Sequence, residues 1–156
     1  MGLMDGKRGV IFGVANDKSI AWGVAQQLHE AGAEIAFTYL NDALEKRVRP
    51  LAASLGSKII LPCDVGSDDE IAAVFKELEQ QWGTIDFVVH AVAFANRDDL
   101  KNPFTQTSRE GFALAMDISA YSLVAMTRFA LPLMANGGSI VTMSYLGSMM
   151  AVPGYN

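Results

Sequence analysis

The sequence predicts a doubly wound parallel α/β sheet on three observations. Five short apolar runs, at 9–12, 34–39, 58–61, 86–90 and 139–143, are nearly continuous rather than alternating, which is the pattern of strands covered on both faces. Between them lie longer segments whose apolar residues recur at helical spacing. Capping residues, Gly and Pro punctuate the junctions. Strand–helix alternation joined by right-handed crossovers gives a parallel sheet, with an expected order of 3-2-1-4-5 and a ligand crevice where the order reverses. A flavodoxin-like domain shares this pattern and stays open at this point.

The elements follow in order. Gly9-Val10-Ile11-Phe12 opens the sheet, and Ile20, Val24 and Leu28 mark the first helix, which Ala31-Gly32 ends. After the second strand, Asp42 is the expected cap of the next helix, with Glu45 at the reciprocal position. Ser67-Asp68-Asp69-Glu70 reads as a capping box ahead of Ile71, Val74, Phe75, Leu78 and Trp82 on one face. Thr107 and Glu110 form a further box before a long helix from about Phe112 towards Leu131; Pro132 and Gly137-Gly138 then lead into the last strand. That strand would be an apolar edge with nothing after it to cover it, which natural proteins avoid. Asn156 falls where a crossover helix should begin. Residues 1–156 therefore read as the N-terminal part of a single larger domain, incomplete at its C-terminus.

The composition narrows the partners. The chain has 156 residues, 51% hydrophobic and 19% charged, enough for one core and suggestive of burial by association. A net charge of -5 with scattered Lys and Arg offers no basic face for nucleic acid. The single cysteine, Cys63, has no internal disulfide partner, which suits a reducing cytosol. Lys7 and Arg8 lead straight into a strand rather than a signal peptide, and no apolar stretch is expected to reach the ~20 residues of a membrane span. A cytoplasmic protein without membrane, nucleic-acid or metal partners is expected.

The chemistry-bearing residues cluster at the carboxyl ends of the strands. Gly13 permits a tight turn and close backbone approach, Ser19 stands where it can cap the helix and offer a hydroxyl to a pyrophosphate, and Gly23 is expected to let the helix pack closely. The loop is longer than in G-x-G-x-x-G, so the spacing by itself leaves dinucleotide binding open. Neither a carboxylate nor a base sits at 38–41, and the missing base favours NAD(H) over its 2′-phosphorylated form. Asp64 can meet an adenine amino group with the Val65 backbone along the ring, or be a solvated loop acid. Small residues at 91, 93 and 95 allow close approach to the backbone, or simply pack tightly. His90 reads as a satisfied core histidine and His29 as surface. Tyr145 and Tyr155, ten residues apart after the fifth strand, can both point into the cleft and donate to a developing enolate oxygen, or be ordinary aromatics. Met143, Met149 and Met150 supply an adaptable apolar lining nearby, or core filling.

Taken together these segments resemble the enoyl-acyl-carrier-protein reductases of the short-chain dehydrogenase/reductase superfamily. The resemblance is carried by residues 13–23 with Ser19-Ile20, by Glu34-Ile35-Ala36-Phe37-Thr38-Tyr39, and by Cys63-Asp64-Val65. It continues through Arg109-Glu110-Gly111-Phe112, Asp117-Ile118-Ser119, Ser144-Tyr145-Leu146-Gly147 and Pro153-Gly154-Tyr155-Asn156. It covers essentially the whole chain in order. It implies a Rossmann-type dinucleotide-binding reductase domain that passes hydride from NADH to the β-carbon of a trans-2-enoyl thioester in fatty-acid elongation. It further implies Tyr155 as the enolate-stabilising phenol and Tyr145 at the acyl pocket. Gly13, Ser19, Ile20, Leu40, Asp64, Val65 and Val92 would bind NAD, and Ala95 would touch substrate through its backbone. Acyl carrier protein would be the partner, and a homotetramer the assembly.

Three departures stand out. Leu40 replaces a frequent glutamine, Ala91 and Ala93 replace frequent serine and glycine, and the family's lysine seven residues past the catalytic tyrosine falls beyond Asn156. A polypeptide ending at Asn156 is expected to turn over little or nothing. Two other readings stay open: a carbonyl reductase of the same superfamily, whose T-G-x-x-x-G-x-G and N-N-A-G segments are absent, and a non-catalytic NAD(H) binder.

Overall fold

The computed structural model describes residues 2–153 and 155. Gly154 and Asn156, two members of the second tyrosine segment, lie outside the described residues, as does the helix start expected at Asn156. Five parallel strands form one sheet: β1 (Arg8–Phe12), β2 (Glu34–Tyr39), β3 (Ile60–Pro62), β4 (Phe87–His90) and β5 (Ser139–Thr142). Their order is β3-β2-β1-β4-β5, as expected, with β1 between β2 and β4. The crossovers are α1 (Ile20–Glu30), α2 (Asp42–Ser54), α3 (Asp68–Trp82), a short α4 (Arg97–Lys101), then α5 (Arg109–Met116) and α6 (Ser122–Ala130). The last two run on through a π-turn over Asp117–Tyr121.

The central strands β1, β2 and β4 are largely apolar because both their faces are covered. In β1, Val10 and Phe12 join a core with Ile71, Val74, Phe75 and Leu78 of α3 and Ala125, Met126 and Ala130 of α6. The intervening Ile11 turns to the other core, with Ala21, Trp22 and Ala25 of α1 and Val48 and Ala52 of α2. Phe12 packs on Phe75 with ring centroids 6.2 Å apart, and Trp22 on Phe37 at 6.3 Å. Truncating a ring such as Phe75 to Ala would cost about 3–5 kcal/mol.

Several local expectations are corrected. On α1 the buried stripe is Ala21, Trp22 and Ala25; Ile20 is 72% exposed and Gly23 faces open space, so small alanines rather than Gly23 bring this helix onto the sheet. The cap of α2 is Asn41, whose side chain accepts from the Leu44 N–H, and Asp42 is already helical. Ser108 rather than Thr107 caps α5, accepting from the Gly111 N–H at 2.9 Å. Ser67 caps α3 as expected, but Glu70 turns away from the cap and accepts from the Asp64 N–H at 2.6 Å. β3 begins two residues later than the apolar run.

The helical stretch Arg109–Leu133, 25 residues with mean hydropathy 1.2, is long and apolar enough to cross a membrane by length and composition, contrary to the sequence expectation. One stripe of it, through Ser122, Ala125, Met126 and Ala130, is instead buried against the sheet and α3. β5 stands at the sheet edge with only Ile140 half-buried, as expected for that strand.

Candidate functional site

The strands' carboxyl ends open into one cavity of about 360 Å³, at the point where the order reverses between β1 and β4. Gly13, Val14 and Ala15 line it after β1, and Thr38, Tyr39, Leu40 and Leu44 around the end of β2. Cys63, Asp64 and Val65 follow β3, the stretch from Ala91 to Phe94 follows β4, and Leu114 and Ile118 reach in from the α5 side. Of the expected site residues, Gly13, Leu40, Asp64, Val65 and Val92 are brought together here. Ser19, Ile20, Ala95, Tyr145 and Tyr155 are not among the lining residues.

Gly13 has φ +101°, and its bare backbone lies where a Cβ would collide with the Ala91 carbonyl. The close approach expected of this glycine is therefore present. Ser19 stands at the cap position of α1 but makes no side-chain cap bond. Its Oγ accepts from the N–H groups of Ala15 (3.0 Å) and Asn16 (2.9 Å) and donates to the Asn16 carbonyl (2.8 Å). The long loop folds back on this hydroxyl, which consequently organises the turn rather than capping the helix.

Asp64 Oδ1 accepts from the Gly66 N–H at 2.9 Å, an Asx-type turn that presents residues 63–65 along one wall. At the end of β2 the phenol of Tyr39 contacts Glu45 and Arg49, which are ion-paired with each other. Burial and then the Glu45 charge push the Tyr39 phenol up, while the Arg49 bond holds the Glu45 carboxyl down. Residues 38–41 carry no base, and the nearby Arg49 is matched by Glu45. Its signal was the i,i+4 spacing of the two.

Cys63 is 4% exposed, and burial, with Glu70 and Asp64 nearby, pushes its thiol up to about 12. His90 is a satisfied core histidine as expected: Nε2 lies 2.7 Å from Ser122 Oγ and Nδ1 2.9 Å from Thr142 Oγ1. Ser122 Oγ donates to the Ile118 carbonyl at 2.6 Å, so it accepts from His90 Nε2–H and leaves Nδ1 to accept from Thr142. Burial lowers the His90 pKa, in keeping with this neutral tautomer.

The two tyrosines stand outside the cavity. Their rings pack on each other at 5.3 Å with 55° between planes, and each residue is 53% exposed. Met143, Met149 and Met150 are likewise exposed rather than lining it. The sequence reading also missed Thr38, Leu44, Phe94, Leu114 and Ile118. Leu114 and Ile118 had a signal in their four-residue spacing on a helix that ends beside the fourth strand.

The sequence profile of the Enoyl-(Acyl carrier protein) reductase family matches residues 13–156. An enoyl-acyl-carrier-protein reductase (NADH) of Aquifex aeolicus is 51% identical over 157 residues, covering 100% of this chain and 58% of the relative. One from Rhizobium meliloti is 55% identical over 155 residues, covering 99% and 57%. The crystal structure of the Anaplasma phagocytophilum reductase in complex with NAD superposes with a TM-score of 0.96 at 52% identity, covering 99% of this chain and 59% of that one. The chain thus spans less than two thirds of the length of these relatives. With its fold, its crevice and its sequence all in agreement, this chain belongs to the enoyl-acyl-carrier-protein reductase family.

Proposed function

We propose that the full-length protein reduces the trans-2 double bond of an enoyl-acyl-carrier-protein thioester with hydride from NADH, a step of fatty-acid elongation. The observation that carries this reading is the crevice at the strand-order reversal, where Gly13 is stripped of a side chain against Ala91. The residues present fit a dinucleotide. The helix α1 N-terminus follows the glycine turn and favours a pyrophosphate. Asp64 and Val65 offer a carboxylate and backbone to an adenine, and among the described residues lining the crevice there is no base for a 2′-phosphate, Arg49 beside it being ion-paired with Glu45.

NADH supplies the hydride; the protein supplies alignment and charge stabilisation. Gly13, Ser19, Ile20, Leu40, Asp64, Val65 and Val92 hold the cofactor, Ser19 and Ile20 from the helix start just outside the cavity. Ala95 meets the substrate through its backbone. The Tyr155 phenol donates a hydrogen bond to the enolate oxygen, and Tyr145 borders the acyl chain. In this reading residues 1–156 are the N-terminal part of one reductase domain acting in the cytoplasm, with acyl carrier protein as partner. The exposed residues Phe112, Met116, Val124 and Leu131 of the long helical stretch support a homotetramer. Mixing the full-length protein with NADH and a trans-2-enoyl thioester tests the reading. Loss of NADH absorbance that depends on the thioester supports it, whereas NADH binding without oxidation leaves a cofactor binder that reduces nothing.

A further inference from the structure

One turn of helix holds both ends of the crevice wall. In the π-turn Asp117–Tyr121, Ile118 enters the cavity and Ser119 meets Phe94. Ser122, immediately after the turn, meets His90. π-turns are rare and concentrate at functional positions. The wall they grip runs from His90 to Phe94, and its inner residues Ala91, Val92 and Ala93 have no polar side chains with which to fix themselves. Ala91 is tied to β1 by its N–H, which donates to the Phe12 carbonyl at 3.1 Å, so beyond it the course of Val92 and Ala93 depends on the Phe94 end. At the Phe94 end, the Ser119 hydroxyl accepts from the Phe94 N–H at 3.0 Å and donates to the Phe94 carbonyl at 3.2 Å, closing a two-bond clamp between residues 25 apart in sequence. Both Phe94 groups are in an exposed setting, so water would satisfy them without Ser119. The clamp is not required for burial; it sets a position.

We propose that Ser119 is a positioning residue for the acyl substrate: it fixes the Phe94 backbone, and with it the adjoining Ala95, at the end of the crevice wall where the thioester is received. This inference rests on the enoyl-thioester reading above. Most of the proposed cofactor residues in the crevice, Gly13, Leu40, Asp64 and Val65, lie on other walls that Ser119 does not hydrogen-bond; only Val92 shares the clamped wall, two residues before Phe94. Removing the hydroxyl should accordingly separate substrate from cofactor.

The test is steady-state kinetics on the full-length protein with Ser119→Ala and Ser119→Thr. The alanine variant should raise KM for the enoyl thioester about tenfold, the worth of a lost pair of net hydrogen bonds, with NADH affinity and melting temperature close to wild type. Threonine keeps the hydroxyl and should restore KM. If the alanine variant does not fold, Ser119→Cys carries the same comparison with a weaker donor. An unchanged KM, a failure of threonine to rescue, or an equal loss of NADH affinity overturns the proposal. A wild-type protein that binds NADH but leaves the thioester untouched overturns the functional reading and the substrate role with it. Thioester-dependent oxidation by wild type with an unaltered KM in Ser119→Ala overturns the clamp alone.

Discussion

Gly13 and Ala91 meet at the crevice with no room for a side chain between them: a Cβ on Gly13 would stand 2.0 Å from the Ala91 carbonyl oxygen. The same glycine has φ +101°, so Gly13→Ala imposes both a strained backbone, about 1–3 kcal/mol, and a displacement of the β4 end. Urea unfolding should show a loss of about 2 kcal/mol or more. Titration with NADH should show affinity falling by at least about tenfold, since the displaced backbone lines the crevice. Wild-type affinity in this variant would remove Gly13 from the cofactor site.

Tyr155→Phe in the full-length protein keeps the ring but loses the donor. If the phenol stabilises the enolate, kcat should fall about 10²–10³-fold while NADH affinity stays put. Tyr145→Phe should cost less, and mostly in KM. Steady-state kinetics decides between them, and an unaltered kcat in Tyr155→Phe would remove that tyrosine from the chemistry.

His90 is held neutral by burial, with a pKa lowered from its usual value of about 6.5. The unfolded chain then binds a proton that the folded one resists, so stability is fully present above pH about 6.5 and declines as the pH falls below it towards the lowered folded value. Melting temperatures followed from neutral pH downward should drop through that window. His90→Gln should flatten the slope attributable to this group, at the cost of a lower plateau.

Cys63 combines 4% exposure with a thiol pushed up to about 12, and thiolate is the reactive form. A thiol reagent at pH about 8 should label the native protein slowly and the urea-unfolded protein at once. NADH should slow native labelling further, because Cys63 lines the crevice. Rapid native labelling insensitive to NADH would show the crevice to be more open than its geometry indicates.

The sheet was legible because parallel strands covered on both faces are nearly continuous in apolar residues, as the buried stretches of β1, β2 and β4 are. The face of α1 was legible in part: Val24 and Leu28 pack against the core as their spacing predicts, but Ile20 is exposed and the fully buried positions are Ala21, Trp22 and Ala25. Two caps were displaced by one residue, Asn41 for Asp42 and Ser108 for Thr107, because adjacent side chains offer the same acceptor and only backbone geometry chooses between them. Gly13, Leu40, Asp64, Val65 and Val92 were singled out in sequence because each follows an apolar run; Thr38 and Phe94, at the same strand ends, were not. Leu114, Ile118 and the Ser119 clamp were not, because they depend on how a distant helix is laid across the β4 end. The tyrosines are the reverse case: motif resemblance singled them out, yet their rings pair with each other outside the cavity.

The placement of β1 between β2 and β4 has a consequence for the order of assembly. β1 pairs β2 across 26 residues, Arg8 with Glu34, but pairs β4 across 78, Gly9 with Phe87. As the chain leaves the ribosome, the β3-β2-β1 half of the sheet can close before β4 exists. The crevice forms along the seam between this early half and the late one. A dinucleotide lying there would touch both halves and hold them together by mass action, so occupancy should slow the parting of the two.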